Sequence, residues 1–477
     1  MKTFKYILMT FSCACIYSCS DFLDLSPVSN MNENAFYKTQ GDFETAIVSA
    51  YATLYHQYEP ESGASYSEIL SDECTVYSGK VLVSNGNSAD VFPIANYNIM
   101  PSNTVVKNIW NTTYADLNVI NKIIDNLKTA NFGTQELRNA YEGEMRFLRA
   151  LYNFNMVRLF GPIPLLDHCV SVEESYKILR SSEDDIYKFI INDLLFASEN
   201  LPLKSQITRI GQATQGAAMT LLGKVYLTIG DKSAAATILK QVIDSNEYKL
   251  LDNYGDLWSM DHKNSEESIF EINYIANATS PASPYMEKYA PFENFYLTAQ
   301  GYGLNQVTDV LWNNYEEGDP RRDISIMKGY NDANGNWIDI KFQAKWFDDN
   351  FLVNHNYYYG NNFIVLRYAD LLLMYAEATG NAEYLNMVRR RVGLPEYGSP
   401  DYPSDLYSTF ELAIEHERNV ELALEFHRWF DLKRTGRAIS VLSVVKGKQI
   451  TADMLVLPIP LDVIDQNPEI EQNNYYK

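Results

Sequence analysis

The sequence contains few of the residues that metal binding, nucleotide binding or membrane crossing requires. Only five of its 477 residues are cysteine and six are histidine, and no histidine has HExxH, HxH or zinc-like spacing with cysteine. No GxSxG, P-loop or GxGxxG motif occurs. No apolar run reaches the ~20 residues that a membrane-spanning helix needs. We therefore expect no catalytic zinc, no cofactor and no transmembrane helix.

Positive charge is also scarce. The chain has 39 basic and 61 acidic residues, which gives a formal net charge of −22. A protein that binds nucleic acid or an anionic membrane surface needs a basic face to neutralise phosphates, so the composition argues against both. Carboxylates are plentiful, so a glycosidase remains a rival interpretation, although abundance alone does not place two carboxylates at the required separation.

The first eighteen residues have the pattern of a lipoprotein signal peptide. Two lysines precede a short apolar run, and a small residue precedes Cys19, as at a lipobox. We expect residues 1–18 to be removed and the Cys19 thiol to be acylated, leaving 19–477 as the mature protein. The alternatives are a signal peptide cut elsewhere or a short buried helix. Cys74 and Cys169 follow, and the sequence leaves open whether they pair.

Apolar residues recur at steps of three and four through most of the chain, which predicts amphipathic helices. Ser182 has the features of a helix cap, and Gly161-Pro162 those of a helix stop. The predicted helices form pairs, which are residues 34–54 with 110–128, 134–160 with 182–200, 213–229 with 232–245, and 366–379 with 382–391.

The third pair fits the tetratricopeptide pattern. Leu222-Gly223, Tyr226, Gly230 and Ala235 fall in its register, and small residues let two helices cross closely. Because such pairs stack neighbour on neighbour, we predict a mainly α fold, a tetratricopeptide-like superhelical scaffold with long irregular loop-rich insertions and short strands. An unrelated helical bundle fits the same periodicity but does not explain this register.

Two stretches without helical periodicity interrupt the scaffold, residues 71–108 and 253–343. Long loops on a rigid scaffold are where binding residues usually lie, so we expect the ligand-binding regions there. Aromatic residues are concentrated in both stretches: Tyr77, Phe92 and Tyr97 in the first, and Tyr274, Tyr285, Tyr289, Phe292, Phe295, Tyr296, Tyr302 and Trp312 in the second.

Residues 332–339 allow two interpretations. Their Asp and Asn side chains are of the kind that ligate calcium, but the distant bidentate Glu of a calcium loop is missing. The Asn-Gly step explains the segment at least as well as a hairpin turn.

Charged residues inside the helical blocks are predicted to be structural. Residues 415–434 alternate Glu, Arg and Asp at helical spacing without an apparent nucleophile or polarised base. We expect buried ion pairs that hold helices together and take no part in ligand contact, and the residues concerned are Arg146, Arg149, Arg367, Asp370, Arg428 and Asp431.

A series of ordered motifs resembles the SusD/RagB family of outer-membrane nutrient-binding lipoproteins, and the resemblance runs from end to end. The motifs are CSDFLDLSP at 19–27, EMRFLRALY at 144–152, LFGPIPL at 159–165, GDPRRD at 318–323, LRYADLLLMYAEA at 366–378, NMVRRRVGL at 386–394, RWFDLKR at 428–434 and LPIP at 457–460.

The resemblance implies a tetratricopeptide-like scaffold that carries a ligand-binding half and is tethered to the outer membrane by the lipid at Cys19, facing the cell exterior. It implies a partner, a SusC-like TonB-dependent transporter, to which the lipoprotein delivers captured oligosaccharide or polysaccharide for import. Peptide importers share this architecture, so a peptide cargo is the alternative. The resemblance implies binding, not enzymatic turnover.

The binding residues themselves are predicted from chemistry, since they are not part of the family's shared motifs. Sugar C–H groups pack on aromatic faces, and sugar hydroxyls pair with Asp, Asn and Arg at the rim. The candidates in the two loop regions are Tyr77, Tyr97, Tyr296 and Trp312, flanked by Asp72, Asn98 and Asn294. We expect Tyr97, Tyr296 and Trp312 to converge on one stacking surface.

Overall fold

A computed structural model describes residues 36–275, 281–292, 301–332, 334–347 and 359–477. The helices of the first half are α1 (Gln40–Ala52), α2 (Leu54–Tyr58), α3 (Gly63–Leu70), α4 (Val91–Ala95), α5 (Thr104–Leu127), α6 (Gln135–Phe160), α7 (Val172–Ser175), α8 (Glu183–Asn200), α9 (Gln215–Thr228) and α10 (Lys232–Asp244). Those of the second half are α11 (Tyr285–Tyr289), α12 (Asp309–Asn314), α13 (Arg321–Ser325), α14 (Tyr368–Thr379), α15 (Ala382–Arg391), α16 (Phe410–Glu421), α17 (Arg428–Arg434), α18 (Ala438–Val445) and α19 (Leu461–Gln466).

The strands are short and pair two by two in antiparallel fashion. They are β1 (Cys74–Thr75), β2 (Ile163–Pro164), β3 (Arg180–Ser181), β4 (Ser268–Ile272), β5 (Gln306–Val307), β6 (Ile326–Met327), β7 (Tyr330–Asn331), β8 (Trp337–Ile338), β9 (Phe342–Gln343) and β10 (Phe363–Arg367). The pairs are β1–β5, β2–β3, β4–β10, β6–β9 and β7–β8. The predicted fold class, mainly α with short strands, is confirmed.

The long helices pack in chain order. Helix α6 contacts α5 and α8, α9 lies between α8 and α10, and α14 contacts α10, α15 and α16. Gly223 explains the closeness of α9 and α10, because a side chain there would overlap Leu239. The tetratricopeptide register predicted this role, in which a small residue lets two helices cross closely. The result is a continuous array of neighbouring helices.

Local sequence sets the helix ends. Thr39 caps α1 through a capping box with Asp42, so this helix begins at Gln40 and not at the predicted residue 34. Ser182 caps α8 as predicted, accepting from the Asp185 N–H. Gly380 ends α14 in the left-handed conformation (φ 71°), which glycine adopts without the steric cost of a side chain.

Buried ion pairs join the helical array to the loop-rich half. Arg367, at the end of β10, is 1% exposed and contacts Glu267, Glu421 and Glu425. The predicted structural role holds for the rest of the group, whose pairs are Arg146–Asp193, Arg149–Asp193, Arg418–Asp370, Arg418–Asp431 and Arg428–Asp72. Each of these side chains is paired with an opposite charge, and most of them are buried, where an unpaired charge would be costly.

A stack of aromatic rings fills the core of the loop-rich half. Tyr285 stacks on Trp346 with ring centroids 4.7 Å apart and on Phe363 at 5.2 Å, and Phe363 in turn stacks on Phe426 at 4.6 Å. Tyr289 beside them is 1% exposed. Much of the aromatic content of residues 253–343 is therefore core and not binding surface.

Candidate functional site

Strand pairing brings two of the predicted binding residues onto neighbouring segments. Strand β1 pairs with β5, and the chain continues from β1 to Tyr77 and from β5 to α12, which carries Trp312. Thr308 fixes the start of α12, since its N–H donates to the Glu73 carbonyl at 2.9 Å and its hydroxyl to the Asp72 carbonyl at 2.6 Å. The two aromatic residues are thus held by one short sheet.

Trp312 is half-buried, with two cations over its ring. The guanidinium carbon of Arg322 lies 4.7 Å from the ring centroid, and the Lys341 ammonium nitrogen lies 5.8 Å from it. Lys341 also pairs with Asp309 at 2.7 Å. Both cations are close enough to the ring for a cation–π attraction.

Tyr77 is exposed and shares its surroundings with the same lysine. Its side chain is 44% exposed. The pKa of Lys341 lies above its usual value chiefly because Asp309 accepts its hydrogen bond, and Asp339 and the Tyr77 hydroxyl add to the effect. Lys341 therefore interacts electrostatically with both Tyr77 and Trp312. We call Tyr77, Trp312, Lys341 and Arg322 the aromatic face.

A small cleft adjoins the aromatic face at Tyr77. It has a volume of about 110 Å³ and is lined in part by Phe292, Gln306, Tyr330 and Asp332. Gln306 is 2% exposed and donates to the carbonyls of Tyr289 and Leu304 at 3.0 and 2.9 Å. Its side-chain oxygen is buried and has no partner within the described residues.

Tyr97 is a core residue, and the expectation that it offers a stacking surface is wrong. It is 1% exposed. Its hydroxyl donates to the Leu70 carbonyl at 2.6 Å and accepts from the Trp429 indole at 2.9 Å. Burial raises the pKa of this hydroxyl far above its usual value. The residue fastens its loop to α3 and α17.

Asp72 and Asn98 also have structural partners. Asp72 is buried in a bidentate pair with Arg428, so its carboxylate is not at a rim as expected. Asn98 is exposed, but its side-chain oxygen accepts from Lys448 at 2.7 Å, beside the buried Tyr97. Asn294, Tyr296 and Cys19 lie outside the described residues. The structure therefore brings together Tyr77 and Trp312 from the predicted set.

No local pattern in the sequence singled out Lys341, Arg322 or Gln306. Arg322 belongs to the GDPRRD motif, whose first arginine, Arg321, is fully buried among carboxylates. The second arginine points to Trp312 instead. The available signal was the doubled arginine itself, because only the first of the two lies in the buried ion-pair network.

The described residues of segment 332–339 form a hairpin turn. Strand β7 pairs with β8, and one Asp332 oxygen accepts from the Asn334 and Asn336 N–H groups at 2.9 and 2.8 Å. No cluster of three or more His, Cys, Asp or Glu side chains able to hold a metal ion is found among the described residues. Within the same residues no disulfide joins Cys74 to Cys169.

Comparison with known proteins identifies the class. One family model, described as "SusD family", matches residues 285–476, and a second, described as "Starch-binding associating with outer membrane", matches residues 21–227. SusD-like protein P2 of Formosa agariphila is 28% identical, over 99% of this chain and 98% of that protein.

Solved structures share the fold. A laminarin-binding SusD-like protein superposes with a TM-score of 0.78 at 28% identity, covering 92% of this chain and all of the other. Surface glycan-binding protein A of Bacteroides thetaiotaomicron, solved with laminarihexaose, has a TM-score of 0.77 at 22% identity, with 92% and 100% covered. The protein is therefore a tetratricopeptide-like helical protein whose aromatic face is formed by loops and short helices. The chain belongs to the SusD family.

The family assignment is accompanied by two observations on the membrane. The family model that matches residues 21–227 is described as a starch-binding family that associates with the outer membrane. Across the described ranges, no helix combines the length and apolar character that a membrane crossing demands.

Proposed function

We propose that this protein binds a neutral glycan at the aromatic face and passes it to a SusC-like TonB-dependent transporter. The observation that carries the proposal is the placement of Tyr77 and Trp312 on segments joined by the β1–β5 pair. A sugar ring packs its C–H face on such side chains, and the neighbouring charged and amide groups receive its hydroxyls.

Charge favours a neutral glycan over a sulfated or uronic one. Each cation of the face has a carboxylate partner, since Lys341 pairs with Asp309 at 2.7 Å and Arg322 with Asp323 at 2.9 Å. The whole chain carries a net charge of −22. A polyanionic ligand would find no surplus positive charge here, whereas paired charges offer donors and acceptors to hydroxyl groups.

The similarity to a laminarin-binding relative makes laminarin the first ligand to test. The protein acts as a binder that leaves glycosidic bonds intact. It is held on the outer membrane by acylated Cys19 and faces the exterior, where polysaccharide is available.

Native electrophoresis through gels that contain laminarin, starch, xylan or galactomannan tests this proposal. We expect retardation in at least one gel, with no shortening of the polysaccharide on product analysis. Released oligosaccharides would contradict the proposal in favour of a glycosidase. Absence of retardation in every gel, with binding of peptides in a parallel calorimetric screen, would contradict it in favour of a peptide cargo.

A further inference from the structure

We propose that a second cleft, built by other segments of the chain, binds a sugar unit of the same neutral glycan. The proposal rests on the function proposed above. The cleft lies between α5, the segment 164–176 and the segment 463–470, and its volume is about 360 Å³. Ligand sites in proteins begin at roughly this size. We call it the α5 cleft.

The lining of the α5 cleft carries no charge. Charged residues make up 21% of the chain, yet every residue that lines the cleft is apolar, aromatic, amide or hydroxyl. An ionic ligand would enter this site without a counter-charge, at a high desolvation cost. A neutral ligand with apolar faces and hydroxyl groups enters without that cost.

The inner wall is aromatic, and the rim is polar. Trp110 and Tyr114 pack with ring centroids 5.0 Å apart on the inner side. Tyr176 stands at the rim with 45% of its surface exposed. Asn111 and Gln466 line the cleft as exposed side chains, and neither makes a side-chain hydrogen bond within the described part of the chain. A sugar ring stacks on the exposed ring of Tyr176 and pairs its hydroxyls with the amides.

One wall of the cleft is fastened to α5 by side-chain hydrogen bonds. The Tyr114 hydroxyl donates to the Pro164 carbonyl at 2.8 Å. Asn118 accepts from the Val170 N–H at 2.9 Å and donates to the Val170 carbonyl at 3.2 Å. Asn121 donates to two further carbonyls of the segment, at 3.0 and 3.1 Å. The wall is therefore formed before any ligand arrives, which lowers the entropic cost of binding.

Arg180 fastens the opposite wall. Its guanidinium donates to the Pro162 carbonyl at 2.7 Å, to the Glu471 carbonyl at 2.7 Å and to the Asn473 side-chain oxygen at 2.5 Å. This cation thereby ties the C-terminal segment to the β2–β3 pair. The α5 cleft is a preformed site with three fixed sides.

Two variants test the cleft without disturbing its supports. Tyr176→Ala removes the exposed ring, and Ala115→Arg fills the cleft from an exposed position of α5. Tyr475→Ala is the matched control, because Tyr475 is 42% exposed and does not line the cleft. All three variants should keep the wild-type melting temperature.

Binding is measured as retardation during native electrophoresis. The gel contains the polysaccharide that retards the wild-type protein, chosen from laminarin, starch, xylan and galactomannan. We expect Tyr176→Ala and Ala115→Arg each to weaken apparent affinity roughly threefold or more, and Tyr475→Ala to leave it unchanged. The single variant Trp312→Ala should still be retarded to some extent. A double variant that adds Tyr176→Ala or Ala115→Arg to Trp312→Ala should not be retarded at all.

Four results would overturn the second site. The first is unchanged retardation in both cleft variants, with or without Trp312→Ala. The second is loss of co-purified transporter from either variant with intact glycan binding, which would make the cleft a protein-docking surface. The third is a wild-type protein that no gel retards, which refutes the proposed function as well. Loss of retardation with Trp312→Ala alone would leave the proposed function intact and refute only the α5 cleft.

Discussion

Arg428 and Asp72 form a buried bidentate ion pair across 356 residues of sequence, with Nε 2.9 Å from Oδ1 and Nη2 2.8 Å from Oδ2. The pair joins the start of α17 to the segment between α3 and β1. Because the Asp72 carbonyl also accepts from Thr308, which caps α12, this ion pair supports the helix that presents Trp312. The scaffold and the aromatic face are connected at this point.

Breaking this pair should destabilise the protein strongly. Arg428→Ala leaves the Asp72 carboxylate buried without its partner, and the expected cost is about 3 to 5 kcal/mol of unfolding free energy. Denaturant titration measures it. If Asp72→Asn and Arg428→Ala each left stability unchanged, the pair would have no structural role.

Arg367 is expected to be at least as important for stability. It donates to Glu425 at 2.7 and 2.9 Å and to Glu421 at 2.5 Å, and it is 1% exposed. Arg367→Ala should lower the melting temperature markedly or prevent expression, by loss of about 3 to 5 kcal/mol.

A surface arginine supplies the control for Arg367. Arg390 pairs with Glu383 and Glu396, but half of its side chain is exposed. Arg390→Ala should cost less than about 1 kcal/mol. A stable Arg367→Ala protein that lost only glycan affinity would place Arg367 in the binding site and contradict its structural assignment.

Stability should fall as pH rises through neutrality because of two buried carboxyl groups. Glu68 accepts from the Phe426 N–H at 2.6 Å and Glu73 from the Leu424 N–H at 3.1 Å. Burial raises the pKa of Glu68 to about 7, and burial together with the nearby Glu68 charge raises the pKa of Glu73 well above its usual value. The folded state then binds more protons than the unfolded state from about pH 5 upward, so raising the pH costs stability.

Calorimetric melting between about pH 5 and about pH 8 measures this dependence. Glu73→Gln keeps one partner permanently uncharged, so its melting temperature should depend less on pH than that of the wild type. Equal slopes for the two proteins would show that the carboxyl pair titrates normally.

Acylation of Cys19 should be the attachment to the membrane. Cys19→Ala is expected to release folded protein from the membrane, because it removes the thiol that would carry the lipid. Fractionation after a high-salt wash, in cells that lack the transporter, measures the released share. Retention of the variant on the membrane would refute the assignment of the anchor.

Local patterns predicted the scaffold well because they act over a few residues. Apolar spacing, the Ser182 cap and the Gly161-Pro162 stop each determine a helix boundary without reference to the rest of the chain. The packing of α9 on α10 also follows from a single small residue, Gly223. These features are confirmed by the structure.

The binding face was only partly predictable because burial depends on distant contacts. Tyr97 and Tyr77 occupy the same loop-rich stretch and look alike in sequence, yet Tyr97 is covered by Trp429 and Tyr77 is exposed. Asp72 finds its partner in Arg428, near the other end of the chain. Nothing local distinguishes a tyrosine or aspartate that will meet such a partner from one that will not.

The most direct test of the central claim is the affinity of Trp312→Ala, measured by isothermal titration calorimetry with the oligosaccharide of whichever polysaccharide retards the wild-type protein. A stacking face contributes on the order of 1 to 2 kcal/mol, and 1.4 kcal/mol is about tenfold in affinity. We predict a loss of roughly tenfold or more with a nearly unchanged melting temperature, and a similar loss for Tyr77→Ala. Unchanged affinity in both variants, or equal loss of affinity and fold, would contradict the assignment of the aromatic face as the glycan-binding site.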